Sequence, residues 1–393
     1  MQVKHSLLLV TLLFSSQAVA EDYITTQLLY YDEDLQSTKV VSPSLEVNLD
    51  FGADYTLNSK FSIDSVSGAS AIYYDRNYDV SSGASPYRHN KSNISAFARG
   101  DEISAGDIGY GLVDYYDIRF AGSIALTKRL INRDEVTTSF SYSNEYDYHI
   151  PEVSLSYLRW LDSSKNSSIE GSFAYQRANV LVWCRQNSQC DTNSGASEIF
   201  KQYVTEAQIT YSKVIDNLSL ANISFFGFKD RGYLSNQYFN VVRSREGKIF
   251  IENEVRPDNR TAYGMKIGYK RAVTDKLTFS GSYRYYQDSW EIDSSTIAGE
   301  VYYEYNNKFT FEGALRYYKQ SSADFYSKRS DYFTTQKYAS SDERLGELNS
   351  INYTIGVDYK NGLGLNNYFI LNYYKQNNGT KAYSGMLGQK YSF

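Results

Sequence analysis

The chain ends in the segment Tyr383-Ser-Gly-Met-Leu-Gly-Gln-Lys-Tyr-Ser-Phe393, and this segment decides the fold. Tyr383, Leu387, Tyr391 and Phe393 all occupy odd-numbered positions, so they share one face of an extended chain. Such alternation is typical of a β-strand with one face towards lipid and the other towards water. A last strand of this form that ends on Phe predicts a β-barrel of the bacterial outer membrane.

The first twenty residues have the pattern of a secretory signal peptide. Lys4 precedes an apolar run over 7–14, and the segment closes with Ala18-Val-Ala20, a small-residue cleavage site. The run is too short to cross a bilayer as a helix. The sequence therefore predicts a cleaved signal peptide over residues 1–20 and one barrel domain over residues 21–393.

The composition favours a membrane barrel over a secreted enzyme. The 393 residues include 40 Tyr and only 4 Pro, and Tyr suits both strands and the membrane interface. The mean hydropathy of −0.50 is low because only alternate strand residues of a barrel meet lipid. Without Lys4, 39 basic side chains stand against 45 acidic ones, a net charge of −6 that gives no reason to expect nucleic-acid binding.

Alternating segments recur along the whole chain. The clearest is 277–288, where Leu277, Phe279, Tyr283 and Tyr285 share one face. The same test predicts further strands at 22–31, 44–56, 60–67, 112–127, 135–148, 152–162, 168–181, 202–214, 217–229, 259–272, 295–305, 309–320, 351–360, 365–376 and 380–393. The fold class is therefore all-β, a transmembrane antiparallel up-and-down β-barrel of about sixteen strands, with about fourteen as the alternative.

The connections between these segments alternate between short and long. Short turns at 57–59, 273–275, 306–307 and 362–364 are predicted on the periplasmic side, together with both termini. Long polar segments at 68–110, 182–200, 230–258 and 321–348 are predicted outside the cell.

Three predicted strands end in a similar sequence with paired tyrosines. At one height around the barrel these pairs would form the outer aromatic girdle, among lipid and lipopolysaccharide headgroups. The alternative is a platform on which carbohydrate stacks. The girdle residues are Tyr285, Tyr286, Tyr317, Tyr318, Tyr373 and Tyr374.

The chain also contains several longer motifs. They are, in order, Tyr30-Tyr-Asp-Glu-Asp34, Val66-Ser-Gly-Ala-Ser70, Ser82-Gly-Ala-Ser-Pro86, Tyr283-Arg-Tyr-Tyr-Gln-Asp-Ser-Trp290 and Arg316-Tyr-Tyr-Lys-Gln-Ser-Ser-Ala-Asp-Phe-Tyr326. These motifs resemble those of one bacterial outer-membrane barrel family, which is classified only as a domain of unknown function. The resemblance covers essentially the whole mature chain and implies the barrel fold without an established activity. It also implies an association with periplasmic redox proteins of thioredoxin-like and flavin-attaching types.

The chain offers little catalytic chemistry. Cys184 and Cys190 lie in one external segment of an oxidising compartment, which predicts a local disulfide, with a redox-active pair as the alternative. His89 and His149 are the histidines of the mature chain, and no local motif joins either to a nucleophile. We therefore expect no enzyme, no metal site and no cofactor, and place an outer-membrane hydrolase third among the candidate functions.

The inward faces carry the functional prediction, because a lumen rich in both charges holds water. Glu300, Glu304 and Glu312 are predicted to form a patch that favours cations or polar solutes, whereas ion pairs that brace the barrel wall are the alternative. Asp117 and Glu170 also fall on the predicted inward face. The predicted pore-lining residues are Arg119, Glu206, Lys266, Lys270, Arg284, Asp288, Glu300, Glu304, Glu312, Arg316 and Asp358.

These observations predict a porin-like channel for small hydrophilic solutes in the outer membrane of a Gram-negative cell. The alternative is a barrel plugged by its loops that binds or anchors a partner or serves an envelope redox system. The segments 68–110 and 230–258 distinguish the two, since loops folded inwards close the pore. Expected partners are outer-membrane lipid and lipopolysaccharide, the barrel-assembly machinery, further copies of the chain and periplasmic redox proteins.

Overall fold

The computed structural model describes residues 22–34, 38–75, 102–103, 108–184, 189–191, 197–328, 332–362 and 364–393. The predicted signal peptide, His89 and most of the first long external segment lie outside the described residues. For 68–75, 102–103 and 109–115 the description is limited to the backbone.

The described chain contains nineteen β-strands and one turn of 3₁₀-helix at Glu343–Leu345. Sixteen strands close an antiparallel barrel, as predicted, and β4, β11 and β12 form a separate three-stranded sheet. The strands are β1 (Tyr23–Glu33), β2 (Lys39–Phe51), β3 (Tyr55–Asp75), β4 (Glu102–Ile103), β5 (Ile108–Arg129), β6 (Glu135–Asn144), β7 (Tyr148–Trp160), β8 (Ser167–Trp183), β9 (Ser197–Asp216), β10 (Ser219–Gly232), β11 (Asn240–Arg245), β12 (Lys248–Asn253), β13 (Asn259–Thr274), β14 (Leu277–Asp288), β15 (Asp293–Glu304), β16 (Phe309–Gln320), β17 (Leu348–Lys360), β18 (Leu365–Gln376) and β19 (Lys381–Ser392).

The barrel closes where the first strand meets the last. β1 pairs with β19 from Tyr23 opposite Ser392 to Glu33 opposite Ala382. The amide of Phe393 then donates a hydrogen bond to the carbonyl of Asp22 at 3.0 Å. The terminal segment is thus a barrel strand, as its alternation predicts.

One predicted turn is wrong. Residues 57–59 lie inside β3, and the chain reverses at 52–54, where Gly52 has a φ of 64°. Glycine adopts this left-handed conformation without the steric cost that a Cβ would impose. The predicted strands 44–56 and 60–67 shift accordingly to β2 and β3, and β3 continues to Asp75, into the predicted external segment.

The outer surface of the barrel is a band of exposed apolar side chains. On β16, Phe311, Leu315 and Tyr317 are all 45–47% exposed, while Glu312 and Ala314 point the other way. An apolar exterior on a closed, even-numbered antiparallel barrel with short turns at one end is the form of outer-membrane barrels. The protein is therefore an outer-membrane β-barrel. No helix within the described ranges is long and apolar enough to cross a membrane.

The largest buried apolar clusters lie at the outer end of the barrel. One joins Tyr286, Trp290 and Ile292 of the barrel rim to Phe325 and Leu345 of a long external segment. Residues 233–258 and the described parts of 321–347 together form a structure that we call the outer cap. The inward-facing side chains of the barrel lie beneath this cap.

Candidate functional site

The strand register places the whole predicted pore-lining set on the face opposite the exposed apolar side chains. Side chains alternate between the two faces of a strand, so Ile297 and Val301, exposed to the outside, put Glu300 on the lumen side. The same argument applies to Arg119, Glu206, Lys266, Lys270, Arg284, Asp288, Glu304, Glu312, Arg316 and Asp358. The role of these residues in a pore stays a prediction.

The lumen beneath the cap is open to water along β14 and β16. Arg284 and Arg316 face inwards, yet both are among the exposed residues of the chain. An inward side chain keeps such exposure only where solvent, and not other side chains, fills the space beside it. This part of the barrel interior therefore holds water.

An acidic patch follows the periplasmic part of this wall. Glu300 lies on β15, Glu312 on β16 and Asp358 on β17, each on the inward face. Glu312 stands opposite Tyr302, whose hydroxyl donates to Oε2 of Glu300 at 3.3 Å. Three carboxylates on adjacent strands make the local potential negative, which concentrates cations.

The wall becomes basic nearer the outer end. Lys266 and Arg284 stand directly opposite each other on β13 and β14. Ser280, which pairs with Glu300, lies four residues towards the periplasm from Arg284, a distance of about 13 Å along the strand. Lys266 and Arg284 thus lie nearer the outer end than Glu300, whereas Lys270, which pairs with Ser280, stands at the height of Glu300.

Two predicted pore-lining residues brace the wall instead. The guanidinium of Arg119 hydrogen-bonds the carboxylate of Asp64 on the neighbouring strand. Asp288 is buried and accepts hydrogen bonds from Nε of Arg260 at 2.8 Å and from the hydroxyl of Tyr286 at 2.6 Å. Its carboxylate also accepts hydrogen bonds from the amides of Trp290 and Ile292, so Asp288 holds the β14–β15 turn, and its part in lining the pore stays a prediction.

The predicted aromatic girdle contains only one member of each tyrosine pair. Tyr285, Tyr317 and Tyr373 face outwards, as predicted, and the ring of Tyr373 lies 6.3 Å from that of Tyr353 and 5.1 Å from that of Tyr383. The predicted girdle positions of Tyr286, Tyr318 and Tyr374 are wrong, since adjacent residues of a strand point to opposite faces. Tyr286 is buried in the apolar cluster under the cap.

The first cap segment crosses the outer mouth of the barrel. The amide of Tyr233, just after β10, donates a hydrogen bond to the carbonyl of Lys201 on β9. The side-chain amide of Gln237 donates to the carboxylate of Asp147, the residue before β7, at 3.0 Å. The hydroxyl of Tyr238 donates to the same carboxylate at 2.5 Å, and burial raises the pKa of Tyr238 well above its usual value. The hairpin β11–β12 then lies against β3 and pairs with β4. Since β3 is six strands from β10 around the barrel, the segment spans the mouth.

The hairpin packs on both of its faces. Val241, on one face, packs with Phe333 and Ala339 of the second cap segment. Val242, on the other face, packs with Ile251 and with Ile108 at the outer end of β5. The cap therefore has an apolar core of its own and is held to the barrel wall.

A buried network of charges joins the two cap segments. Glu254 is 1% exposed and lies 2.6 Å from Nε of Arg256, whose Nη2 lies 2.8 Å from Asp342. A second guanidinium contacts the same carboxylate, since Nη2 of Arg344 lies 2.6 Å from Oδ2 of Asp342. No local pattern in the sequence indicates this network, because Arg256 and Asp342, which join its two halves, lie almost ninety positions apart.

The two carboxyl groups of this network have opposite pKa shifts. Burial raises the pKa of Glu254 and outweighs the lowering effect of Arg256. Burial acts on Asp342 in the same direction, but the guanidiniums of Arg344 and Arg256 outweigh it and hold the pKa of Asp342 below its usual range. Asp342 is therefore the charged centre of the network.

The predicted disulfide between Cys184 and Cys190 is present, with the two Cα atoms 5.5 Å apart. Cys190 packs against the apolar cluster of Tyr148, Val180 and Tyr233, at the start of the cap. The other residue considered for chemistry, His149, contacts Asn144 through Nδ1. The disulfide thus braces the external segment next to the cap.

Comparisons with known proteins give a family and a fold. The sequence model of a family described as "Protein of unknown function (DUF3570)" matches residues 9–392. Comparison with curated proteins finds no match.

Among solved structures, the chain is similar to a bacterial polysaccharide outer membrane secretin, with 8% identity, a TM-score of 0.49, and 95% of this chain and 98% of that one covered. It is also similar to the CymD monoaromatic hydrocarbon channel, with 9% identity, a TM-score of 0.42, and 96% and 90% covered. It is similar as well to the siderophore receptor PirA from Acinetobacter baumannii, with 10% identity, a TM-score of 0.44, and 92% of this chain and 54% of that one covered. The chain thus spans about half of that receptor.

Proposed function

Since the chain belongs to the family of unknown function DUF3570, we propose from its own residues that it is a conduit of the outer membrane for small hydrophilic solutes, with a cap over its outer mouth. This proposal assigns the chain no enzymatic activity, metal or cofactor. Lipopolysaccharide, the barrel-assembly machinery, further copies of the chain and periplasmic redox proteins stay predicted partners.

One observation carries the proposal: charged side chains of the inner wall are exposed to water below the cap. Arg284 and Arg316 would be buried or paired if side chains filled the barrel at their height. A barrel of sixteen strands is wide enough for an aqueous lumen unless loops occupy it. The described loops pack at the outer end and on one another.

The acidic patch supports a preference for cations. Glu300, Glu312 and Asp358 belong to three adjacent strands and raise the local concentration of positive ions. Rings of acidic side chains act in this way in cation channels.

A second candidate function follows from the cap itself. Because the hairpin β11–β12 reaches from β10 to β3, it restricts access from outside, as expected for a barrel that binds or anchors a partner through its loops. In that case the lumen is closed in the native protein.

Single-channel conductance in a planar bilayer tests the proposal. The mature chain is compared with a variant in which a short Gly-Ser linker replaces 240–253, which removes the hairpin but no barrel strand. Protease protection verifies insertion. We expect small ohmic steps for the native chain, larger steps for the variant, and a reversal potential in a salt gradient that falls in Glu300→Gln and Glu312→Gln.

Each outcome decides between the candidates. A native chain that is silent beside a conducting variant supports the closed, loop-capped barrel. Silence of both inserted proteins overturns the conduit, since the lumen would then be blocked by something other than the hairpin.

A further inference from the structure

Three cations of the lumen wall lie close together just below the cap. Lys266 and Arg284 are cross-strand partners, which places their Cβ atoms about 5 Å apart. Arg316 lies on β16, separated from β14 by one strand and offset by two residues in register, so its Cα is about 12 Å from that of Arg284. All three point to the lumen, and Arg284 and Arg316 are exposed.

No carboxylate in the described part of the chain forms an ion pair with these cations. Within the described ranges, no carboxylate oxygen lies within 4.0 Å of Lys266, Arg284 or Arg316. Elsewhere in the barrel, Arg119 and Arg260 are paired with Asp64 and Asp288. Like charges on neighbouring strands repel, so this cluster destabilises the empty barrel.

Aromatic rings hold the two guanidiniums in place. Arg284 lies 4.5 Å from the ring centre of Phe226 and 5.7 Å from that of Tyr286. Arg316 lies 5.4 Å from the ring centre of Tyr318. A guanidinium fixed by stacking keeps its N–H donors free for another group, and its planar fork matches the oxygens of phosphate or carboxylate.

We propose that Lys266, Arg284 and Arg316 form a binding subsite in the lumen for a hydrophilic solute that carries a phosphate group. The inference rests on the proposed conduit and names a solute class for it. Tyr286 joins the subsite to the apolar cluster beneath the cap, so a solute that passes the outer mouth meets this subsite before the acidic patch. The two charged regions then act in sequence, with the anion held above and cations concentrated below.

Isothermal titration of the refolded, full mature chain in detergent with inorganic phosphate tests the subsite without requiring conduction. We expect saturable binding that weakens with added salt, because exposed charges are screened. Arg284→Gln and Arg316→Gln should each weaken binding at least tenfold. Arg284→Lys should lie between these variants and the native chain, because it keeps the charge but loses the planar fork.

Lys319→Gln is the matched control. Lys319 lies on the same strand as Arg316 but faces outwards, so its removal should leave phosphate binding unchanged. The absence of saturable binding to the native chain overturns the proposal, as does equal weakening in Arg316→Gln and Lys319→Gln, which would show a general effect of charge. Phosphate binding by a barrel that is silent in the bilayer keeps the subsite and rejects the open conduit, so the two proposals fail separately.

Discussion

The charges of Glu254, Arg256 and Asp342 are almost fully removed from water, although they lie outside the barrel wall. Burial of an ion is costly, and a guanidinium between two carboxylates offsets that cost through ion pairs and hydrogen bonds. Glu254 also accepts hydrogen bonds from the amide of Asn236 at 2.7 Å and from Ser340 at 2.5 Å. The cap therefore depends on a few residues whose partners come from both of its segments.

Arg256→Met should loosen the cap by about 3–5 kcal/mol, because it leaves two buried carboxylates without their shared partner. Hydrogen exchange of the amides of β11 and β12 measures this loss. Arg245→Met is the control, since Arg245 pairs with Glu252 at the surface, with 48% of its side chain exposed, and should change the same exchange by less than about 1 kcal/mol. Equal effects of the two variants would contradict the role of the buried network.

At the scale of the strands, alternation was sufficient to predict the fold. About sixteen barrel strands could be predicted from the sequence, with fourteen as the alternative, because a period of two in hydrophobicity indicates which side chains meet lipid. The turn at 57–59 was misplaced because Leu57-Asn-Ser59 contains residues common in turns but continues the alternation of β3. One tyrosine of each pair was assigned to the wrong face for another reason. Similarity between strand ends was given more weight than the alternation of side chains along a strand.

The cap could not be predicted in this way. Its contacts join residues 233–258 to 321–347 and to β3, and no periodicity within either segment reports a partner so distant along the chain. The same reason hid the basic subsite: each cation was predicted to face the lumen, but only the strand register shows that Lys266 and Arg284 are neighbours.

Two adjacent residues of β16 test the assignment of faces. Leu315 is 47% exposed on the outer surface near the middle of its strand, whereas Ala314 faces the lumen. Leu315→Arg should destabilise the inserted barrel by about 2–4 kcal/mol, the cost of a charge against lipid near the midplane, and Ala314→Arg should cost much less. Reversible unfolding from vesicles by guanidinium chloride gives both values. A larger loss for Ala314→Arg would mean that the assignment of the two faces is reversed.

At the scale of the whole molecule, we expect the cap to make access to the lumen dependent on pH. The folded-state pKa of Asp342 is lowered, so its stabilising contribution is complete above its ordinary value, about 3.9, and is lost as the pH falls through the lower folded value. Glu254 has the opposite effect on the stability of the cap. Its pKa is raised, so its protonation in acid removes the free-energy cost of a buried charge.

We therefore expect the conductance of the native chain to stay constant from pH 8 to about 5 and to rise only below about pH 4, as the cap opens. Asp342→Asn removes the ion pairs at every pH, so it should conduct more at pH 7 and show no acid step. Bilayer recordings across this range are the measurement. An acid step that persists in Asp342→Asn would assign the opening to another group.

The pairing of β1 with β19 also has a consequence for how the molecule is made. The two strands that complete the ring are far apart in the sequence, and the amide of Phe393 bonds to the carbonyl of Asp22 where they meet. Until these strands pair, the sheet has two free edges, and bringing its ends together is the slowest kind of contact to form. A variant without the β18–β19 hairpin leaves β1 and β17 with unpaired edges, and such edges are where chains aggregate.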